Sequence, residues 1–364
     1  MAKVINVQEA KNFDRIRFNN KPAFDDTKPS LNDASKAFEE ILKFVGDKNA
    51  YQWKLLVLCG LLGIFTGFHN IGAEKNLTSD EAYINISVPW VYNKLNILTP
   101  SKCEYYDYDF SKIEKPTSIQ RNSSLYKSLE MKECDAWVYD RTVYVSTVVS
   151  EWDLVCDRKW LMSTAQSSYM VGILLGAVIC SALSDKFGRR LVSLTCTALF
   201  IVSTISTAFS NALITFLILR FIVAFAGHGA YLANYVLCME NVGEKGRSYM
   251  GSLFHTFFGF GFIFLNLFAY LLRNWRHLQL CLGVPTVLLV GYFWLLPESP
   301  RWLLMQGREK EAIEILKKMA VHNNKEFPPE GKLRPYLNVI SQEVKSRPTL
   351  STKQKIKTTF TIIV

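Results

Sequence analysis

The sequence predicts an all-α membrane protein with six transmembrane helices. Three observations carry that prediction: six apolar blocks long enough to cross a bilayer, Lys and Arg gathered in the short connections between them, and three N-glycosylation sequons beside three cysteines in one long polar segment. A hydrocarbon core takes roughly 20 residues of helix to cross. Of the 364 residues 49% are apolar, and they fall in blocks rather than spreading evenly, which argues against two or three soluble domains. The net charge of +10 does not point to nucleic acid. No short basic patch with interleaved aromatics stands apart from a helix end, so the charge reads as membrane topology. The N-terminal stretch lacks the apolar run of a signal peptide.

Residues 1–52 form a polar, basic tail. Near its end Phe38, Ile41, Leu42 and Val45 recur at helical spacing, so a short amphipathic helix leads toward the membrane. The first span covers 53–73. Residues 74–160 are a long polar loop with sequons at Asn76, Asn85 and Asn122 and cysteines at 103, 134 and 156. A lone sequon is weak, but three beside three cysteines indicate an extracytoplasmic, oxidising location. A bridge between Cys134 and Cys156 is the expected pairing, leaving Cys103 unpaired or paired elsewhere. The other five cysteines fall in apolar blocks and read as small buried residues, and none of the eight has zinc-ligand spacing.

Five further spans follow within 161–296. With the N-terminus inside, every Lys/Arg-rich short connection but one lies inside, the exception being Arg273-Asn274-Trp275-Arg276. The positive-inside rule and the sequons agree, and they are independent. The expected topology is a multi-pass plasma-membrane protein with a cytoplasmic N-terminus. After the sixth span, 297–356 reads as a cytoplasmic segment with an amphipathic helix over Glu309–Met319, ended by Pro328 and Pro329. Residues 357–364 read as the start of a seventh span.

Between the second and third spans, Ser181-Ala182-Leu183-Ser184-Asp185-Lys186-Phe187-Gly188-Arg189-Arg190 resembles the loop motif of the major facilitator superfamily, with Ser181 and Lys186 in place of its first glycine and first arginine. Gly188 permits a tight turn between spans. Asp185 can accept hydrogen bonds from a neighbouring helix N-terminus and pair with Arg189. Lys186 and Arg190 read equally well as topology markers. Pro297-Glu298-Ser299-Pro300-Arg301-Trp302, Ser150-Glu151-Trp152-Asp153-Leu154-Val155-Cys156, Trp275-Arg276-His277-Leu278-Gln279-Leu280 and Phe68-His69-Asn70 narrow the likeness. Together with the long first loop they resemble the organic cation/anion/carnitine (solute carrier family 22-like) transporters, over about residues 38–320. The tail's end departs from that family, with Lys48 and Asn49 where it usually has Phe and Gly.

The resemblance implies one six-helix half of a twelve-span carrier, with a large extracellular loop and a cytoplasmic helical segment. It implies alternating access, and a substrate site near the bilayer midplane between the halves. On the fourth span, Tyr231 and Tyr235 share one helix face and match positions where the family's cation transporters carry aromatics, which suits amines through cation–π attraction. Ordinary packing is the competing reading. His228 stands where relatives often have Lys. His255, in a fifth span with no other ionisable side chain, stands where relatives often have Gln, and an intramembrane histidine is a functional candidate. Arg220 corresponds to a helix-packing position. Glu240 and Arg247, with Glu298 and Arg301, match an inner-face charge cluster in relatives that can join Asp185, Arg189 and Arg190; for Glu240 and Arg247, solvated loop charges are the competing reading.

The expected substrates are small organic ions, cations and carnitine-like zwitterions favoured, with an organic anion or sugar as the alternatives. The other class is a non-transporting half that regulates or assembles with a full-length transporter; a channel or receptor is a third. Expected partners are the substrate, the lipid bilayer and a second transporter half or full-length paralogue. No cofactor is expected. No Gly-x-x-x-x-Gly-Lys loop, catalytic triad or metal site is present in the sequence, so neither ATP-driven transport nor an enzyme is expected.

Overall fold

A computed structural model describes residues 31–46, 49–68, 89–92, 98–101, 103–107, 129–137, 139, 141 and 144–346. The tail before Leu31, the three sequons, His69-Asn70 and the start of the seventh span lie outside the described residues. The chain divides into two compact units, Asp47–Trp302 and Met1–Gly46 with Leu303–Val364.

In the smaller unit, α1 (Leu31–Val45) buries Phe38, Ile41, Leu42 and Val45, the four residues whose spacing predicts it. Fully burying a side chain of this size contributes about 1.5–3 kcal/mol. Against α1 pack two helices of the C-terminal segment, designated below as α11 and α12 for their place in chain order.

The larger unit begins with α2 (Ala50–Phe68). Two short antiparallel strand pairs follow, β1 (Trp90–Tyr92) with β2 (Leu98–Pro100) and β3 (Glu104–Tyr106) with β4 (Met131–Glu133). The sequence pattern predicts none of these three-residue strands. Helix α3 (Val148–Glu151) is set by a capping box between Thr147 and Ser150. Then come the long helices α4 (Trp160–Phe187), α5 (Arg189–Ala208), α6 (Leu213–Glu240) and α7 (Glu244–Leu271). A rise of 1.5 Å per residue makes even the 20-residue α5 about 30 Å long, enough for a hydrocarbon core. The last span begins as α8 (Trp275–Gly283), tightens to 3-10 geometry over Val284–Gly291 and ends as α9 (Tyr292–Leu295). Pro285 lies at the start of the tightened stretch and supplies no N–H to the helical ladder.

Among the described residues, five helices are long and apolar enough to cross a membrane: Cys156–Phe187, Arg189–Ala208, Leu213–Glu240, Glu244–Leu271 and Trp275–Leu295. A shorter apolar helix covers Ala50–Thr66. Their order is that of the six predicted blocks, and the chain is a multi-pass membrane protein. Helix α6 packs along both α4 and α5, while α2 packs along α7. Small residues set the closest approach: a Cβ on Gly172 of α4 would lie 2.6 Å from the Phe221 carbonyl of α6. Leu174, Ile214, Leu288 and Trp294 are exposed, the expected result where lipid is the solvent.

Helix α10 (Pro300–Met305) leads into α11 (Glu309–His322) and α12 (Glu330–Ser346). The buried side of α11 holds Ala312, Leu316, Met319 and Ala320, and that of α12 holds Leu333, Leu337 and Ile340. The Asn323 amide closes the α1 end by donating to the Val45 and Gly46 carbonyls at 3.0 and 3.2 Å. The sequence reading assigns no element to 330–346.

The cysteine pairing corrects the prediction. Cys156 is bridged to Cys103, with Cα atoms 5.4 Å apart, and Cys134 is a free thiol. A Cys134–Cys156 bridge would close the shorter loop at the lower entropic cost. Strand register overrides that preference. The β3–β4 ladder seats Cys134 across from Cys103, its N–H donating to the Cys103 carbonyl at 2.9 Å, and Cys103 is the one that meets Cys156. Burial first, then the charges of Asp135 and Glu104, raise the Cys134 thiol above its ordinary pKa.

Candidate functional site

Three clusters occupy the six-helix unit, one at each end of α5 and one along α6 and α7.

At the first end, α4 stops at Gly188, whose φ of +106° is a conformation that L side chains rarely adopt. A Cβ there would also lie 2.5 Å from Glu298 Oε2. The space is used by the Glu298 carboxylate, which accepts from the N–H groups of Arg189 at 3.0 Å, Arg190 at 3.2 Å and Ser299 at 2.8 Å. Glu298 therefore satisfies the start of α5 and places negative charge at the positive end of its dipole. Asp185 sits one turn before Arg189 and makes the expected pair with it at 2.8 Å, while the helix N-terminus it was also expected to serve is held by Glu298.

Arg189 is buried, and its stronger partner is Glu240. The guanidinium donates twice, Nε to Oε2 at 3.1 Å and Nη2 to Oε1 at 3.0 Å, with Nη1 to the Ser184 carbonyl at 3.0 Å. A two-point geometry of this kind is among the stronger charged hydrogen bonds. Arg190 donates to the Phe293 carbonyl at 2.9 Å, tying α5 to the last span. Trp302 Nε1 donates to the Asp185 carbonyl at 2.9 Å. Arg247 donates to the Met239 carbonyl at 3.2 Å, beside Glu240 in sequence. Arg301 is half-buried at the second position of α10. Thus one turn of chain and three other segments converge on Arg189, Arg190 and Glu298.

At the other end of α5, two runs that the sequence reading treats separately form one cluster. Glu151 accepts from Arg276 Nε at 3.1 Å, from Arg276 Nη2, and from Trp275 Nε1 at 2.5 Å. Arg276 also donates to the Ala208 and Ser210 carbonyls at 2.7 and 2.6 Å, so it satisfies the end of α5. Trp152, Phe216 and Trp275 close a ring with centroids 5.2–5.6 Å apart. Burial opposes ionisation of Glu151. The hydrogen bonds from Arg276 and Trp275 and the Arg276 charge outweigh it, holding the carboxyl below its ordinary value. Sequence reasoning quoted both runs but named neither Glu151 nor Arg276 as a site. The available signal was charge: Arg276 belongs to the one basic connection that departs from the expected positive-inside pattern.

The third cluster holds the predicted substrate residues. Tyr231 is buried by Phe254 and Phe258, with ring centroids 5.0 and 5.8 Å away, and faces Gly63 of α2. Tyr235, four residues on, is half-buried and stacks on His255 of α7 at 5.3 Å and 29°. His255 Nδ1 lies 2.7 Å from the Tyr231 hydroxyl, within one hydrogen bond, and its side chain is exposed. His228, one turn before Tyr231 on α6, lies edge-on to Tyr169 of α4 and to Phe258, the ring that also packs on Tyr231. Arg220 sits over the Tyr169 ring at 4.7 Å, a contact between packed helices. Among the described residues no group of three or more His, Cys, Asp or Glu could hold a metal ion.

Comparison with known proteins places this architecture. The family model described as Sugar (and other) transporter matches residues 105–364. A solved structure of the major facilitator superfamily proton:xylose symporter XylE, bound to 6-bromo-6-deoxy-D-glucose, shares the fold over 82% of this chain and 54% of its own, with a TM-score of 0.52 at 17% identity. The chain is also 34% identical over 302 residues to the Organic cation transporter protein of Drosophila melanogaster, covering 80% of this chain and 54% of that protein. It is 34% identical over 310 residues to the Organic cation/carnitine transporter 2 of Mus musculus, covering 79% of this chain and 54% of that protein. Fold and helices define an integral membrane protein built as a major facilitator half. The chain belongs to the sugar (and other) transporter family of that superfamily. It spans about half the length of the curated relatives it matches, and those relatives are transporters, not enzymes.

Proposed function

We propose that the full-length protein is a carrier of small organic ions, cations or carnitine-like zwitterions, working by alternating access, and that this chain supplies its first six-helix half. The observation that supports this reading is the aromatic wall in which half-buried Tyr235 stacks on exposed His255 with Tyr231 buried behind them, because the Tyr235 ring can receive an ammonium by cation–π attraction. The names of the relatives point the same way. Alternating access needs a second six-helix unit to rock against, so a second transporter half is part of the proposal. The sequons and the basic connections support a plasma-membrane location with the N-terminus in the cytoplasm. The Arg189 and Glu298 cluster then lies on the inner face, where it holds one state of the rocking unit.

Uptake of radiolabelled tetraethylammonium by the full-length protein tests the reading. Saturable uptake is expected, with apparent affinity weakened about 2- to 30-fold in Tyr235→Ala, the equivalent of about 0.5–2 kcal/mol. Uptake unchanged in that variant would remove Tyr235 from the site.

A further inference from the structure

We infer that Cys103, Cys134 and Cys156 form a thiol–disulfide exchange site, in which Cys134 displaces Cys156 from Cys103 and unties the β3–β4 pair from the span Cys156–Phe187. The inference is independent of the substrate reading above. It asks only that this loop face an oxidising compartment, as its cysteines and sequons predict.

The geometry gives Cys103 two partners. One is bonded: Cys156, whose Cα lies 5.4 Å away. The other lies across the ladder. The pairs Tyr106 with Met131 and Glu104 with Glu133 set an antiparallel register, and one step further it places Cys103 opposite Cys134. The Cys134 N–H donates to the Cys103 carbonyl at 2.9 Å, as that step requires. Opposite residues of a hydrogen-bonded antiparallel pair have Cα atoms about 5.5 Å apart, with both side chains on one face of the sheet. A disulfide spans that separation. Cys134 is a half-buried thiol, so the nucleophile is already in place beside the bond.

The exchange balances without a further reagent. The Cys134 thiolate attacks Cys103 Sγ, the Cys134–Cys103 bond forms and the Cys103–Cys156 bond breaks. The electron pair leaves on Cys156 Sγ, which takes up the proton that Cys134 gave up. One disulfide and one thiol remain, so nothing is oxidised or reduced overall. The surroundings restrain the step. Burial first, then Asp135 and Glu104, disfavour the Cys134 thiolate. Glu133 also flanks it, the nearby Lys132 is paired with Asp107 at 2.5 Å, and Asp157 and Arg158 follow the leaving Cys156. The thiol is therefore mostly protonated near neutral pH.

The consequence is local. With Cys156 bonded, the β3–β4 pair is fixed to the run that carries Glu151, the carboxylate that grips Arg276. With Cys134 bonded, the bridge lies across the ladder itself and Cys156, at the head of its span, is released. The exchange sets whether the strand pair is covalently held to the braced end of the helices.

The test is disulfide mapping of the purified full-length protein. N-ethylmaleimide is added after incubation in buffer free of added oxidant or reductant. At the outset the Cys103–Cys156 bridge is expected, with label on Cys134. After incubation, label on Cys156 and a Cys103–Cys134 bridge are expected together. Their initial rate of appearance should rise about tenfold from pH 7 to pH 8, as attack by a thiolate requires. Cys134→Ser is expected to keep the original bridge and to show no label on Cys156. Cys156→Ser is expected to carry Cys103 linked to Cys134. Label confined to Cys134 at both pH values in the natural protein would overturn the exchange site. So would Cys134 recovered in a bridge between two chains, or Cys103 and Cys134 both labelled in a folded Cys156→Ser protein.

Discussion

The two ends of α5 solve one physical problem with different materials. Each end leaves backbone groups without helical partners, and each recruits an ionised side chain from a distant segment. At the Gly188 end, the Glu298 carboxylate satisfies the N–H groups of Arg189 and Arg190 while Arg189 grips Glu240. At the Trp275 end, the Arg276 guanidinium satisfies the carbonyls of Ala208 and Ser210 while gripping Glu151. The signs follow the helix dipole: an anion at the N-terminus, a cation at the C-terminus. The surroundings differ. The first end is a network of charges around a buried arginine, the second a single pair about a quarter exposed within a collar of aromatic rings. A mobile contact needs a network that can break and reform, whereas the close-packed rings of Trp152, Phe216 and Trp275 resist rearrangement. The Gly188 end therefore suits switching and the Trp275 end suits bracing.

Breaking each end should separate those roles. The largest effect is expected from Arg189→Ala, which leaves the partly buried Glu240 without its partner. Loss of one member of a buried pair costs about 3–5 kcal/mol, read as a lower unfolding temperature of the detergent-solubilised protein. A change under about 1 kcal/mol would show that the network is solvated. Glu151→Gln should cost less, about 1–2 kcal/mol, because that pair is partly exposed and the aromatic collar remains. Its pH dependence has a definite sign. The folded state holds the Glu151 carboxyl below its ordinary value, so its stabilisation is present above the unfolded value near pH 4.3. It is lost as pH falls through the lower folded value. The stability gap between the natural protein and Glu151→Gln should be full at pH 7 and shrink below about pH 4. A gap that persists unchanged at pH 3 would mean the amide is destabilising for another reason. The smallest effect is expected from Cys134→Ser, within about 0.5 kcal/mol. Non-reducing peptide mapping of that variant should still recover Cys103 linked to Cys156.

The apolar blocks made the spans legible because a bilayer demands an uninterrupted apolar length, and length is written in the chain. The helical spacing of Phe38, Ile41, Leu42 and Val45 made α1 legible in the same way. The β3–β4 pairing was not legible, since strands of three residues carry too few side chains for a period to show. Helix α12 escaped notice because its apolar residues are diluted by charge and interrupted by Pro335. Among the site residues, Gly188, Arg189 and Glu298 could each be marked from a motif, but not that Gly188 makes room for the carboxylate of Glu298, more than a hundred residues on. The exception to the positive-inside pattern, Arg276, was visible as an anomaly, and its resolution by Glu151 was not.

By itself, then, the sequence determined the order of the spans, the turn at Gly188 and the residue types available along α6 and α7. These are local properties, set by side-chain hydrophobicity, backbone conformation and helical period. Only the tertiary structure decided which carboxylate meets which arginine, that Cys156 takes Cys103, and that His255 reaches Tyr231 and Tyr235 together. Those pairings join segments whose distance along the chain says nothing of their distance in space. They are fixed by helix packing and strand register, which one side chain's chemistry cannot specify alone.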